Sequence, residues 1–301
     1  MSKVMTFIKL LKTPSKMIWP LGSNEFLKWM PDRMYLKILY RAETGRSLQL
    51  NPPHNYNEKL QWIKLYDRRP EYTTMVDKLA VKDYVRRIIG NEYIIPTIME
   101  WGSVDEIDFK SLPNQFVIKC NHDSGGLVIC SDRNKLEVTK AQHLLKKRMK
   151  RNAYWPGREW PYKNVTPRLF AEKYLTDGSD ELRDYKVMCF NGIPKIIQVH
   201  TGRFSNHRQN LYDEKWNTIP LIQDDLQPGR YEDKPVFLEE MLELSEKLAQ
   251  NIPEVRVDWY YVDNQLYFGE LTFFDASGFG KFNPDSYNDL WGSWITLPCD
   301  K

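Results

Sequence analysis

Apolar positions in the first ninety residues recur at helical spacing. Leu27, Met30, Met34, Leu36, Ile38 and Leu39 make one stripe, broken near Pro31, and Leu60, Trp62, Ile63 and Leu65 make another. A third helix is predicted to open at Asp77, bury Leu79, Val81, Val85, Ile88 and Ile89, and stop at Gly90. From residue 93 the pattern changes to short β-branched and aromatic runs, which predict strands at 93–98, 115–120, 126–130, 168–175, 184–190 and 195–200. Two helices interrupt them. The first, about 137–151, turns Val138, Ala141, Leu144, Leu145 and Met149 inward and most of the basic run 146–151 outward. The second, about 236–250, carries Phe237, Met241, Leu242 and Leu248 and has an acidic start that suits the helix dipole. A final hairpin pairs 255–262 with 266–274, and a Gly-rich tail follows. The fold class is α+β, with mixed sheets and helices packed on them.

The 301 residues, 42% hydrophobic, suffice for a full core. Against 43 Lys and Arg stand 40 Asp and Glu, and the resulting +3 is too small for the electrostatic footprint of non-specific nucleic-acid binding. Cys120, Cys130, Cys189 and Cys299 form no CxxC pair and have no His at zinc-finger spacing, so reduced, buried thiols are expected. Near the start, Val4, Met5, Phe7, Ile8, Leu10 and Leu11 are interrupted by Lys9 and followed by Lys12 and Lys16. That arrangement offers neither a signal-peptide core nor a membrane span, and the expected location is the cytoplasm. The same stretch reads either as a terminal helix packed on the body or as a basic amphipathic helix on the inner membrane surface.

Three stretches carry candidate chemistry. Phe116 to Cys120 is a hydrophobic strand with Lys119 inside it, running through Asn121, His122 and Asp123 into Ser124-Gly125-Gly126. Glycines let a backbone approach a phosphate, successive N–H groups make an anion nest, and the lysine adds a point charge. An edge-strand lysine before an ordinary turn fits the same residues. The second stretch is Arg256-Val257-Asp258, with Glu270 and Thr272 on the returning strand. Carboxylates from neighbouring strands suit Mg²⁺, a hard cation that takes oxygen ligands and leaves room for phosphate. Arginine beside them can hold a phosphoryl group bidentately. A solvated cross-strand ion pair is the alternative. The third stretch, Arg168 to Leu175 followed by Asp184, offers main-chain groups to an adenine edge and a carboxylate to ribose, or is simply a strand.

The order Met75-Val76-Asp77-Lys78, Val117-Ile118-Lys119, Glu172-Lys173-Tyr174-Leu175, Arg256-Val257-Asp258 and Glu270 resembles the ATP-grasp superfamily, and in local pattern its D-alanine–D-alanine ligase branch. Over nearly the whole chain, including Tyr267 to Phe273 and Ser277-Gly278-Phe279, it resembles the TupA-like ATP-grasp family of bacterial surface-polysaccharide clusters. The resemblance implies a helical N-terminal region, 1–74, followed by two α+β subdomains gripping ATP, 75–175 with the glycine-ended phosphate loop and 176–301 with the metal site, and Mg²⁺ as the metal. Lys78 and Lys119 would contact phosphates, with Ser124, Gly125 and Gly126 as the phosphate loop. Glu172, Lys173, Tyr174 and Leu175 would form the adenine hinge, and Asp184 would meet ribose. Asp258 and Glu270 would ligate the metal and Arg256 would steady the γ-phosphate. Thr272 departs from the superfamily's usual asparagine, so its hydroxyl, Asp275 or a water would supply the third ligand.

The implied reaction is carboxylate–amine ligation through an acyl phosphate, on a uronic acid or an amino acid. The Ser124-Gly125-Gly126 loop and the aromatic stretch 154–162 are lid candidates. A nucleotide-sugar glycosyltransferase and a non-catalytic ATP-binding protein are the alternatives. The absence of any Asp-x-Asp counts against the first, and the full set Lys119, Arg256, Asp258 and Glu270 against the second. For the hairpin, Asp258 and Glu270 share a face if the loop is Asp263-Asn264-Gln265, or if a bulge lies lower down.

Overall fold

The computed structural model describes residues 17–123, 125–178, 182–203 and 205–298. Ser124, Cys299 and the amphipathic stretch before Met17 therefore lie outside the described residues. The chain begins with helices α1 (Ile18–Ser23), α2 (Asp32–Thr44), α3 (Tyr56–Tyr66), α4 (Glu71–Val76) and α5 (Val81–Ile89). Helix α3 opens with a reciprocal cap: the Asn55 side chain accepts from the Glu58 N–H while Glu58 accepts from the Asn55 N–H. Asp77 does not itself start a helix. Its carboxylate accepts from the N–H groups of Leu79 and Ala80, at 2.9 and 3.1 Å, and leads into α5.

Four strands form the first sheet: β1 (Thr97–Trp101), β2 (Phe116–Cys120), β3 (Leu127–Cys130) and β4 (Leu169–Lys173), in the order β1-β4-β2-β3. Every pairing in it is antiparallel. Helix α6 (Val138–Met149) covers one side and buries Ala141 and Leu145, whereas Val138 is exposed at the first turn. Of the run expected as a strand at 93–98, Thr97 and Ile98 belong to β1 and Ile94 makes an isolated bridge to Phe268. The segment Tyr154–Gly157 (α7) and the residues after it are not a flap: Tyr154 and Trp160 are buried in the main core.

The second sheet comprises β5 (Asp184–Phe190), β6 (Ile193–Thr201), β7 (Arg208–Asp213), β9 (Glu254–Val262) and β10 (Gln265–Thr272), in the order β10-β9-β5-β6-β7. Two short strands, β8 (Ile222–Gln223) and β11 (Phe282–Asn283), pair separately, and helices α8 (Leu238–Ala249) and α9 (Ser286–Trp294) complete the fold. The large sheet is two-faced. Tyr185, Val187, Cys189, Ile197, Val255, Val257 and Trp259 join the core that includes Met241, Leu244 and Leu248 of α8. The alternate residues Asp184, Lys186, Gln198, Arg256 and Asp258 share the opposite face, because side-chain direction reverses at each step. Asp184, Lys186, Gln198 and Asp258 are nevertheless buried, which for a polar face requires a specific set of partners.

Sequence periodicity misplaced part of α2. Tyr35, Leu36, Leu39 and Tyr40 are buried, while Met34 and Ile38 point to solvent. The tyrosines supplied the inward positions that the aliphatic stripe alone did not show.

Candidate functional site

The β9–β10 hairpin determines which carboxylates meet. Asp263 and Asn264 both have positive φ, 52° and 60°, so the turn has two central residues in the left-handed region, and Val262 opposes Gln265. The three-residue loop is therefore not formed. Unbroken pairing would place Asp258 opposite Gly269, but the register shifts between Phe268 and Glu270, and Glu270 opposes Asp258. Gly269 is the extra residue of this bulge. A Cβ there would lie 3.2 Å from the Asp258 carbonyl oxygen and 3.2 Å from the Tyr260 ring, so glycine admits the close approach.

Arg256 is the hub. Its Nε donates to Asp258 Oδ1 at 2.7 Å and its Nη2 to Asp258 Oδ2 at 2.9 Å, a bidentate pair. Nη2 also donates to Thr272 Oγ1 at 3.2 Å and stands 3.8 Å from Glu270 Oε1, while Nη1 donates to Asp275 Oδ1. Asp275 Oδ2 accepts from Gln223 at 2.9 Å and from Gln198 at 3.4 Å. Asp275 is thus an acceptor for arginine and two amides, and the Thr272 hydroxyl likewise faces the guanidinium. Neither is presented as a free metal ligand.

Two further lysines compensate the carboxylates. Lys186 donates to Asp258 Oδ2, and Lys78 Nζ lies 2.5 Å from Glu270 Oε2. Burial would raise the Glu270 carboxyl pKa, but Lys78, followed by Lys186 and Arg256, outweighs it and holds the group well below the usual range. Burial would lower Lys78, yet Glu270 and Tyr162 keep it above the ordinary lysine value.

The phosphate-loop candidates come to the same cleft from the first sheet. Lys78, Lys119, Asp123, Gly125, Gly126, Lys186, Arg203, Asp258, Tyr260, Gly269 and Glu270 all line it. Asn121, fully buried, ties its edges together: its amide nitrogen donates to Asp77 Oδ2 and the Thr166 carbonyl, and its Oδ1 accepts from the Arg168 N–H. The Lys78 N–H donates to the Asn121 carbonyl at 3.0 Å, which fixes Lys78 against the loop. Gly125 has φ +80°, and a Cβ on Gly126 would sit 3.1 Å from Cys120 Sγ and from Asp123 Oδ2.

The hinge candidates divide. Glu172 is buried between two ammonium groups, Lys119 at 2.5 Å and Lys82 at 2.6 Å. Burial alone would raise its pKa, but the two lysines hold it lowered. The carboxylate consequently orients Lys119. Lys173 spends its N–H on the Pro96 carbonyl and is exposed, and Tyr174 and Leu175 continue, half-buried, beyond the end of β4. Asp184 binds Arg203 at 2.7 Å and stands 3.8 Å from Lys186, on the same sheet face as Asp258. Sequence reasoning missed Lys82, Asn121, Lys186, Gln198, Arg203 and Gln223. Lys186 was within reach, since the alternation from Asp184 to Phe190 puts a lysine between inward apolar residues.

Among the described residues, no cluster of three or more His, Cys, Asp or Glu is arranged to hold a metal ion. Asp258 is no freer than Asp275, since both its oxygens accept from Arg256 and Oδ2 also from Lys186, and Glu270 Oε2 faces Lys78; to take Mg²⁺ arriving with phosphate oxygens, an ion that commonly uses one or two carboxylates, the opposed pair would have to release these cations.

No curated protein matches the sequence. Among solved structures, the chain is similar to a D-alanine–D-alanine ligase from Bacillus anthracis complexed with ATP, at 15% identity and TM-score 0.40, over 74% of this chain and 57% of that one. It is similar to the Helicobacter pylori D-alanine–D-alanine ligase at 12% identity and TM-score 0.42, over 81% and 71%. The ATP-grasp ligase PsnB, complexed with minimal precursor, Mg and ADP, aligns at 11% identity and TM-score 0.39, over 83% and 65%. The chain spans somewhat over half the length of the Bacillus anthracis ligase chain. The TupA-like ATPgrasp family profile matches residues 58–296, most of the chain and all of the cleft described above, and the chain belongs to that family.

Proposed function

We propose that the protein is an ATP-dependent carboxylate–amine ligase. The observation that carries this reading is the bulged hairpin, which turns Glu270 toward Asp258 and Arg256 and across the cleft from Lys119 and the Gly125-Gly126 turn. A binding protein needs cations for a triphosphate. It does not need an arginine held by four side-chain acceptor atoms beside two opposed carboxylates.

In this reading Lys78, Lys119, Lys186 and Arg203 surround the phosphates, with Glu172 and Asp184 aiming Lys119 and Arg203. Residues Glu172 to Leu175 would border the adenine, and Asp184, whose Oδ2 accepts from Arg203, would have its other oxygen for the ribose hydroxyls. Mg²⁺, held by Asp258 and Glu270, would neutralise phosphate charge when bound. A substrate carboxylate oxygen attacks the γ-phosphorus and ADP leaves, giving an acyl phosphate. An amine then attacks the acyl carbon, phosphate departs with the bonding electron pair, and the amine proton passes to solvent or phosphate. Arg256, already fixed by Asp258, Asp275 and Thr272, keeps its charge and one remaining N–H for the oxygens on which charge develops. The acid is a uronic acid or an amino acid of bacterial surface-polysaccharide assembly, and the enzyme works at the cytoplasmic side of the membrane. Its family gives no support to the nucleotide-sugar transferase alternative.

The experiment is a matrix of nucleotide-linked uronic acids and amino acids against amines, scored by ADP release and product mass. ADP release that requires both an acid and an amine, with an amide of matching mass, is expected. ATP turnover independent of the amine, or glycosyl transfer from a nucleotide sugar without ATP, would defeat the proposal.

A further inference from the structure

Helix α2 turns Tyr35, Leu36, Leu39 and Tyr40 to the core and exposes Arg33, Met34, Lys37, Ile38 and Arg41. Arg33, Lys37 and Arg41 recur every four residues, so they stack along one stripe, and Met34 and Ile38, at the same spacing, lie beside it. The one acid of the helix's first turn, Asp32, is occupied by Arg68 and Arg158. A groove beside the stripe is lined by Lys37, Ile38, Arg41, Ala42 and Leu48. In the turn just before α2, Phe26 and Trp29 are 69% and 71% exposed, and Lys28 between them is exposed too. Scattered exposed aliphatics are ordinary, but two aromatic rings standing mostly in water next to a cationic helix are not.

The charge of the chain is divided in the same way. Residues 1–41 hold eight Lys and Arg against two acids, a net +6, while residues 42–301 are net −3. The small overall charge therefore conceals a basic, aromatic end.

We infer that this face of the helical region, Phe26, Lys28, Trp29 and the Arg33–Lys37–Arg41 stripe of α2, docks on an anionic lipid surface. Aromatic rings and aliphatic tips settle at the headgroup boundary while the cations meet lipid phosphates, each contributing about fivefold to partitioning. The segment before Met17 is a poor occupant of this face, because it carries four lysines and no acid. A second copy joined by the same face would set like charges against each other. The inference concerns a surface separate from the nucleotide cleft and stands whether or not the ligase reading does.

Flotation of the full chain with vesicles tests it. Phosphatidylglycerol-containing vesicles are expected to carry the protein at low salt and release it at high salt, and pure phosphatidylcholine vesicles to carry little. Arg33→Glu/Lys37→Glu/Arg41→Glu should reduce partitioning at least about 100-fold, and Trp29→Ser should reduce it without changing its salt dependence. Lys37→Gln/Arg41→Gln provides a milder pair should the triple variant fold poorly. No flotation with anionic vesicles, equal flotation with neutral ones, or undiminished flotation of the reversed variants would each overturn the inference, the last by assigning the affinity to residues 1–16. Salt-sensitive self-association on size exclusion, in place of vesicle binding, would overturn it in favour of a second copy.

Discussion

Lys186 and Asp258 stand directly opposite each other on β5 and β9, and their side chains meet in an ion pair buried on the polar face of the large sheet. The pair is asymmetric. Asp258 keeps a bidentate arginine if Lys186 is removed, whereas removal of Asp258 takes from Lys186 its nearest carboxylate and from Arg256 its bidentate one, leaving Arg256 with Asp275. Stranding a buried charge is costly, about 3–5 kcal/mol. Asp258→Ala is therefore expected to destabilise the fold by that amount and Lys186→Met by less than half as much. Urea unfolding of both variants measures the difference, and equal losses would contradict the asymmetry.

Gly269 admits the bulge that brings Glu270 opposite Asp258. Gly269→Val adds volume against the Asp258 carbonyl and the Tyr260 ring, at contacts of 3.2 Å, and the backbone oxygen cannot swing away. A loss of about 1–3 kcal/mol is expected, with weaker nucleotide binding because both neighbours line the cleft. Unchanged stability together with unchanged nucleotide affinity would show that the close approach is not maintained.

The hairpin also shows how far the sequence could be read. Alternation revealed two strands, and the functional need for Asp258 beside Glu270 required one residue of extra parity. It did not show whether the turn or a bulge supplied that residue. Asp263-Asn264 took the two-residue turn because Asp and Asn tolerate the left-handed region, and the correction moved to Gly269, where a missing Cβ makes room. The cations of the cleft were legible where they sat beside a glycine or in a named motif, as Lys119 and Lys78 did. Lys186 could be read only from the alternation of β5, and Gln198 and Gln223 not at all, because their role comes from pairing across β5, β6 and the β8 region. Strand β7 was not predicted for the same reason: Arg208, Gln209 and Asn210 carry no apolar alternation and are held by the ladder to β6.

Burial, with Lys186 and Arg256 nearby, pushes the His200 imidazole down to about 2. The unfolded chain takes up this proton near pH 6.5 and the folded chain does not, so stability falls as pH drops below about 6.5. The slope from this group is at most about 1.4 kcal/mol per pH unit. His200→Gln removes it, and its unfolding free energy should decline less steeply than wild type between pH 6.5 and 4.5. Parallel curves would show that His200 does not supply the acid sensitivity.

Cys120, Cys130 and Cys189 are buried, and burial raises all three thiols, Cys120 to about 12. Ligation through an acyl phosphate needs no thiolate. Iodoacetamide at pH 8, followed by peptide mapping, should leave these three unmodified in the native protein and alkylate them in urea. Rapid native modification of Cys120, beside the glycine loop, would mark a reactive thiol in the cleft and count against the assignment.

Gln223 provides the sharpest test of how Arg256 is held. Its amide donates to Asp275 Oδ2, and Asp275 Oδ1 in turn receives Arg256 Nη1, so the amide fixes the carboxylate that fixes the guanidinium. Gln198 gives a longer second bond at 3.4 Å and cannot replace the 2.9 Å one. Gln223→Leu keeps the side-chain volume close to native and touches neither the phosphate lysines nor Asp258. A hydrogen bond to a charged group contributes about 1.5–3 kcal/mol. If most of that is felt only as charge develops, turnover should fall about tenfold or more, while the nucleotide dissociation constant stays within about twofold. Gln223→Glu would place a second carboxylate against Asp275 and should be worse than leucine. Equal losses in affinity and turnover would mean that Gln223 supports the cleft as a whole, and unaltered turnover would mean that Asp258 and Thr272 alone suffice to hold Arg256.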